Sequence, residues 1–185
     1  PDGFKDVDTI LKEEAEKQME FKKMFENDSF FFVPEIKKEF CSDLILASQF
    51  VDGDNVDELD DFPQETRDKI GGKILELCIR ELFEFNYMQT DPNPANFFYD
   101  PAKDRINLID FGAARKFDKE FVDKYMKIVH SAATNDKDTL LEYSEKIGFL
   151  NESKAKMQRG EIYKKIIHDD FEKFGIIPEL LSRLP

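Results

Sequence analysis

The two most informative segments of the chain are Gln89-Thr90-Asp91-Pro92-Asn93-Pro94-Ala95-Asn96 and Leu108-Ile109-Asp110-Phe111-Gly112. Between them, two short apolar runs flank a turn at Asp100-Pro101, which is the pattern of a β-hairpin. A hairpin folds the loop before its first strand against the loop after its second strand. The spacing therefore predicts that Asp91 and Asn96 lie close to Asp110.

The order of these three side chains indicates phosphate chemistry. In protein kinases an asparagine follows the catalytic aspartate, and an aspartate-phenylalanine-glycine tripeptide follows the next hairpin. Magnesium prefers oxygen ligands and bridges nucleotide phosphates, so we expect Asn96 and Asp110 to hold Mg²⁺ with ATP. Asp91 is then expected to orient or deprotonate a nucleophile. Each motif alone is ordinary turn sequence, and the prediction depends on their joint occurrence.

Apolar spacing predicts the elements on the N-terminal side of this site. Steps of three and four residues predict an amphipathic helix over Val7 to Phe25, and a second helix over Glu65 to Phe85 that is buried on most sides. Phe30 to Val33 and Leu44 to Val51 read as a strand-like pair. The acidic run from Asp52 to Asp61 reads as a solvated connector.

The C-terminal part of the chain is predicted to be helical. Asp118 can cap a helix, and Gly148 and Gly175 stand where glycines end helices. Residues 151–185 are assigned only as helix. The whole pattern predicts an α+β fold that is mainly helical.

Composition restricts the ligands. Forty acidic and 27 basic residues give a formal net charge of -13, which disfavours nonspecific binding to nucleic acid. Cys41 and Cys78 form no C-x-x-C pair, and both read as small apolar thiols rather than as a disulfide. The sequence has neither an apolar run of membrane-spanning length nor a signal-like start.

Four segments carry a resemblance to a known family. They are Glu81-Leu82-Phe83-Glu84-Phe85, Met88-Gln89-Thr90-Asp91-Pro92-Asn93, Asn96-Phe97-Phe98-Tyr99-Asp100 and Asp110-Phe111-Gly112-Ala113. They resemble the UbiB family of atypical kinases, over about Phe30 to Leu150. The chain looks most similar to the mitochondrial members that support coenzyme Q biosynthesis, since these also have glutamine-threonine before the catalytic aspartate.

The resemblance implies a protein-kinase-like C-terminal lobe over residues 52–185, with a remnant of the N-terminal lobe over residues 1–51. It implies binding of Mg²⁺ and ATP, with Asp91 catalytic and Asn96 and Asp110 as metal ligands, and ATP hydrolysis linked to membrane lipid precursors. Glu14 would be a glutamate of the small-lobe helix, and Gln49 would lie at the nucleotide hinge.

The same resemblance implies partners and a location. Isoprenoid lipid precursors and coenzyme Q biosynthetic proteins would be the partners, with peripheral membrane contact. The location would be the mitochondrial matrix beside the inner membrane, although the sequence shows no targeting segment.

Several positions depart from the family pattern. Asp8 stands where the family has the more N-terminal helix glutamate, and Gln49 stands where a glutamate is expected. We find no phosphate-covering loop, no lysine in a V-A-I-K setting and no lysine-glycine-glutamine motif. We therefore expect this chain alone to bind nucleotide weakly and to turn over slowly or not at all. Truncation, divergence and a place within a longer chain remain open as reasons.

Two other functional classes remain as alternatives. A pseudokinase-like scaffold for lipid-biosynthetic partners would keep the fold without chemistry, and the missing motifs favour it. A purely structural helical domain would leave the order of Asp91, Asn96 and Asp110 to coincidence. Retention of all three favours the ATPase interpretation, because a scaffold has no chemical need for them.

Overall fold

The structure is a computed structural model, and it describes residues 6–90 and 93–149. The described residues form two compact units. The first unit contains residues 6–74 and 93–114, and the second contains residues 75–90 and 115–149.

The first unit begins with helix α1, Val7–Met24, as the apolar spacing predicts. Asp6 caps it, because its side chain accepts a hydrogen bond from the backbone N–H of Thr9 at 2.8 Å. Phe21 on its inner face is 1% exposed and packs against Phe25. This face places the helix against the core of the unit.

A four-stranded sheet forms the rest of the first unit. Its strands are β1 (Phe31–Phe32), β2 (Asp54–Asn55), β4 (Phe97–Asp100) and β5 (Arg105–Leu108), in the order β1-β5-β4-β2. Strands β4 and β5 are antiparallel, with Phe97 opposite Leu108, so the predicted hairpin is confirmed. Tyr99 and Ile106 of the hairpin are buried, and the buried Phe31 of β1 packs against Phe25, with ring centres 5.6 Å apart.

The predicted strand pair of Phe30 to Val33 with Leu44 to Val51 is wrong. Strand β1 instead pairs in parallel with β5. The second run makes only isolated bridges, such as the one between Ile36 and Ser48. Its apolar side chains do not face the core, since Leu44 is 71% exposed and Phe50 is 84% exposed.

The acidic run is also more ordered than a solvated connector. Within it, Asp54–Asn55 forms β2 and pairs with β4, and Leu59 is buried. The run therefore supplies an edge strand of the sheet.

Helix α2, Gln64–Phe83, follows Pro63 as predicted and extends from the first unit into the second. Leu77 and Leu82 are buried, whereas Ile79 is 46% exposed. The helix is therefore buried on one side, and the prediction of burial on most sides is wrong.

The second unit contains the remaining elements. They are β3 (Tyr87–Gln89), β6 (Ala114–Lys116), α3 (Lys119–Ala133) and α4 (Lys137–Lys146). Strands β3 and β6 pair as a small sheet. Buried side chains from the end of α2, from β3, from the two later helices and from the segment after α4 form one apolar cluster, namely Cys78, Leu82, Met88, Val122, Tyr125, Ile128, Leu140 and Phe149.

Two predicted helix boundaries are confirmed in the second unit. Asp118 is the N-cap residue of α3, although its side chain makes no capping hydrogen bond. Gly148 follows α4 with a φ of 81°, a conformation that glycine adopts at low cost. Gly175 and the predicted helical tail over residues 151–185 lie outside the described residues.

Helices and short strands together confirm the predicted α+β class. Cys41 and Cys78 are both free thiols. Within residues 6–90 and 93–149, every helix is too short or too polar to span a bilayer. The division into residues 1–51 and 52–185 stays a prediction.

Candidate functional site

The turn after β5 carries Asp110, Phe111 and Gly112. The Asp110 carboxylate accepts a hydrogen bond from the backbone N–H of Gly112 at 2.9 Å. Phe111 is 2% exposed, and its ring lies 5.1 Å from the ring of Phe21 on α1. The buried phenylalanine thus fixes the middle of the turn, while Asp110 beside it is exposed to solvent.

The segment before β4 is held by its own amide groups. The side chain of Asn93 accepts a hydrogen bond from the backbone N–H of Ala95 at 3.0 Å, which caps the short 3-10 helix Pro94–Asn96. The backbone carbonyl of Asn96 accepts a hydrogen bond from the N–H of Ile109 at 3.3 Å. This last bond ties the segment before the hairpin to the segment after it.

Asn96 and Asp110 meet at this end of the hairpin. The side-chain amide of Asn96 donates a hydrogen bond to the Asp110 carboxylate, with Nδ2 and Oδ2 3.2 Å apart. The predicted proximity of these two side chains is therefore present in the structure. Their role as metal ligands stays a prediction.

Helix α1 adds a second carboxylate near the turn. A side chain built onto Gly112 would place its Cβ 3.4 Å from Asp110 Oδ1 and 4.0 Å from Glu14 Oε2, so both carboxylates border this glycine. Burial raises the pKa of Glu14, and the negative charge of Asp110 raises it further, while Lys17 lowers it. Glu14 thus belongs to the electrostatic surroundings of Asp110.

Lys17 lies one turn along the same face of α1. Its ammonium group donates a hydrogen bond to the backbone carbonyl of Gly112 at 2.6 Å. Sequence reasoning missed this contact. The available signal was the three-residue step from Glu14 to Lys17, which places both side chains on one helix face.

Two positions that the resemblance singled out lie elsewhere in the first unit. Asp8 pairs with Lys12 on the surface of α1, with a separation of 2.6 Å between their charged atoms. The backbone N–H of Gln49 donates a hydrogen bond to the carbonyl of Glu35 at 2.7 Å, and Gln49 is exposed. A contact between Gln49 and nucleotide stays a prediction.

Asp91 lies outside the described residues, so its catalytic role stays a prediction. Strand β3 precedes Asp91 in the chain, and its last residue, Gln89, is bound by Glu81 of α2. The Glu81 carboxyl accepts a hydrogen bond from the backbone N–H of Gln89 at 3.0 Å. Burial raises the pKa of Glu81, and this hydrogen bond lowers it by a smaller amount. The resulting pKa is about 8. The burial of this acid was not predicted from the sequence.

The donor set of the first unit fits magnesium. Among residues 6–90 and 93–149 no three His, Cys, Asp or Glu side chains form a metal cluster. Magnesium, however, commonly takes one or two protein oxygens and completes its shell with water and phosphate. A carboxylate from Asp110 and an amide oxygen from Asn96 suit that coordination.

Residues 7–144 match the family described as the ABC1 atypical kinase-like domain. The chain is 42% identical over 146 residues to the atypical kinase COQ8B, mitochondrial, of Rattus norvegicus, covering 78% of this chain and 28% of that protein. It is 36% identical over 137 residues to the atypical kinase COQ8, mitochondrial, of Saccharomyces cerevisiae, covering 74% and 27%. The chain thus spans little more than a quarter of the length of these relatives.

A solved structure shares the fold. Rv3197 of Mycobacterium tuberculosis, determined in complex with erythromycin, matches with a TM-score of 0.65 at 24% identity. The match covers 79% of this chain and 37% of that one. At this identity the similarity concerns the fold alone.

Proposed function

Because the chain belongs to the ABC1 atypical kinase-like family, we propose that it is a kinase-like protein that binds magnesium-ATP and has ATPase activity. The observation that carries the proposal is the pair of Asn96 and Asp110, whose side chains meet at 3.2 Å beside the hairpin. The order of Asp91, Asn96 and Asp110 supports the same function, because it follows the kinase pattern of catalytic base and metal ligands.

Each of the three site residues has a separate proposed role in phosphoryl transfer. Asp110 and Asn96 would hold the cation by their side-chain oxygens. Bound magnesium would neutralise phosphate charge and fix the direction of the transferred group. Asp91 would orient the attacking oxygen and accept its proton. Phosphoryl transfer depends mainly on positioning and charge neutralisation, so this small set of groups is sufficient in kind.

The biological process is proposed from the relatives. Two of them carry the names COQ8B and COQ8 and are described as mitochondrial atypical kinases. We extend to this chain a role in coenzyme Q biosynthesis and a mitochondrial location. The finer location, in the matrix beside the inner membrane, is proposed from the family resemblance alone. Isoprenoid lipid precursors and coenzyme Q biosynthetic proteins are the proposed partners, with peripheral contact to the membrane.

A pseudokinase-like scaffold is the second candidate. It is supported by Asp8, which stands at a family glutamate position and pairs with its neighbour Lys12. The two candidates differ in whether the described site holds magnesium and nucleotide.

Thermal unfolding with and without magnesium-ATP tests the proposal. A ligand at ten times its Kd stabilises the folded state by about 1.4 kcal/mol. For a chain of this size, that raises Tm by about 3–6 °C. We expect a rise that requires magnesium and that is lost in Asp110→Asn, since this change weakens the only charged ligand that we assign to the cation.

Asp123→Asn is the matched control, because Asp123 is an exposed aspartate that pairs with Lys119 on α3. This variant should keep the magnesium-dependent rise. An equal rise in Asp110→Asn would reject the assigned site. No rise in the unchanged chain would reject nucleotide binding by these 185 residues and would favour the scaffold.

A further inference from the structure

The contact between α1 and the Asp110 turn involves more than apolar packing. Glu14, Lys17 and Phe21 follow one another at three- and four-residue steps and share one face of the helix. Phe21 packs against Phe111 with ring centres 5.1 Å apart, and both rings are buried. Lys17 donates a hydrogen bond to the carbonyl of Gly112, the residue that follows Phe111. One helix face therefore contacts successive residues of the turn.

The helix itself is held in register by a buried polar contact. Gln18, next to Lys17, is 2% exposed. Its side-chain amide donates hydrogen bonds to the carbonyl of Pro34 and to the hydroxyl of Ser48, both at 2.9 Å. A buried side chain held at two points limits sliding or rotation of α1. The backbone of α1 at Lys17 is therefore held in place relative to the turn.

Gly112 links Lys17 to Asp110. Its backbone N–H donates to the Asp110 carboxylate at 2.9 Å, and its carbonyl accepts from the Lys17 ammonium at 2.6 Å. Glycine has more backbone freedom than any other residue, so a turn that contains it has many conformations to choose from. A charge-assisted hydrogen bond to its carbonyl removes part of that freedom.

We propose that Lys17 is a positioning residue of the metal-binding turn, which keeps the Asp110 carboxylate in its cation-accepting orientation by holding the carbonyl of Gly112. The proposal rests on the proposed function, because it deepens the role given to Asp110. Lys17 touches neither cation nor nucleotide in this scheme. It acts through the backbone of Gly112.

The first test measures the turn without any ligand. NMR of the ¹⁵N-labelled 185-residue chain gives the rate at which the Gly112 amide exchanges with water. Loss of one hydrogen bond of ordinary strength changes the equilibrium between the closed and the open turn by about fivefold, and the exchange rate follows that equilibrium. We expect about fivefold faster exchange in Lys17→Met, which keeps the aliphatic stem, and recovery in Lys17→Arg, which keeps the charged donor. Lys23→Met, an exposed position on the same helix, should leave the rate unchanged.

The second test measures cation affinity. The free magnesium concentration needed for half-maximal binding of ATP should rise about fivefold in Lys17→Met and recover in Lys17→Arg. Unchanged exchange at Gly112 in Lys17→Met would overturn the proposal, as would faster exchange with an unchanged magnesium requirement. If the unchanged chain binds no magnesium-ATP, the proposed function fails, whereas the ligand-free exchange rate still decides whether Lys17 holds the turn.

Discussion

The buried carboxyl group of Glu81 makes the stability of the folded chain depend on pH. It is 3% exposed, and its pKa is raised to about 8 because burial disfavours the charged form. The unfolded chain loses this proton near the ordinary glutamate pKa, given as 4.5. Between these two values the folded state holds one proton more than the unfolded state. Stability therefore falls as pH rises through this range.

Glu81→Gln should remove this dependence, since the amide oxygen can still accept the hydrogen bond from Gln89 and carries no charge. The unchanged chain should lose up to about 1.4 kcal/mol of unfolding free energy per pH unit between pH 5 and 8 from this group. Urea unfolding at several pH values measures the difference in slope. Glu84→Gln, at an exposed site beyond the same helix, is the control and should keep the slope. Identical slopes for Glu81→Gln and the unchanged chain would contradict the prediction.

Strands β2 and β4 depend on one close backbone approach. Gly53, just before β2, has a φ of +145°, and an added Cβ would lie 2.7 Å from the carbonyl oxygen of Tyr99. Backbone atoms cannot move aside as a flexible side-chain end can. Only a residue without a side chain therefore lets the acidic segment pair with β4.

Gly53→Ala should lower the unfolding free energy by about 2 kcal/mol or more, because it combines a disfavoured φ with a backbone clash. Gly72→Ala is the matched control. Gly72 lies within α2, and no described atom outside its own helix backbone and chain neighbours lies within 4 Å of the added Cβ. That change should raise stability by about 0.5–1 kcal/mol through helix propensity. Urea denaturation compares the two, and equal effects of the same sign would show that Gly53 is not a required close approach.

Charge acts on the molecule as a whole. The formal net charge of -13 implies self-repulsion that opposes the compact state. Exposed ion pairs between helix neighbours, such as Lys12 with Asp8 and Lys124 with Glu120, offset it only weakly. Added salt should therefore screen more repulsion than attraction.

Raising sodium chloride from about 0.01 M to about 0.15 M shortens the screening length from about 30 Å to about 8 Å. We expect Tm to rise by about 2–4 °C, which corresponds to about 1 kcal/mol for a chain of this size. The double variant Glu58→Gln, Asp61→Asn removes two exposed negative charges and should show a smaller rise. Differential scanning calorimetry measures both, and a Tm that falls with salt would show that attraction dominates.

The features that depend on neighbouring residues can be predicted from the sequence alone. Helices α1 and α2, the hairpin of β4 and β5, and the capping position of Asp118 all follow from apolar period, turn residues and side-chain chemistry. The meeting of Asn96 and Asp110 belongs here too, because a hairpin joins the segments that precede and follow it. The hairpin alone brings Asn96 and Asp110 close together, whatever the remaining chain does.

The pairings between distant segments depend on the packing of the folded chain and could not be predicted from local patterns. Strand β1 joins β5 rather than the nearer run at Leu44 to Val51, and strands of two residues are too short to show a period. The contact of Lys17 with Gly112 and the enclosure of Glu81 likewise arise from packing of the folded chain. A local pattern states which residues prefer to be buried, but the partner that buries them is chosen by the packing of the complete core.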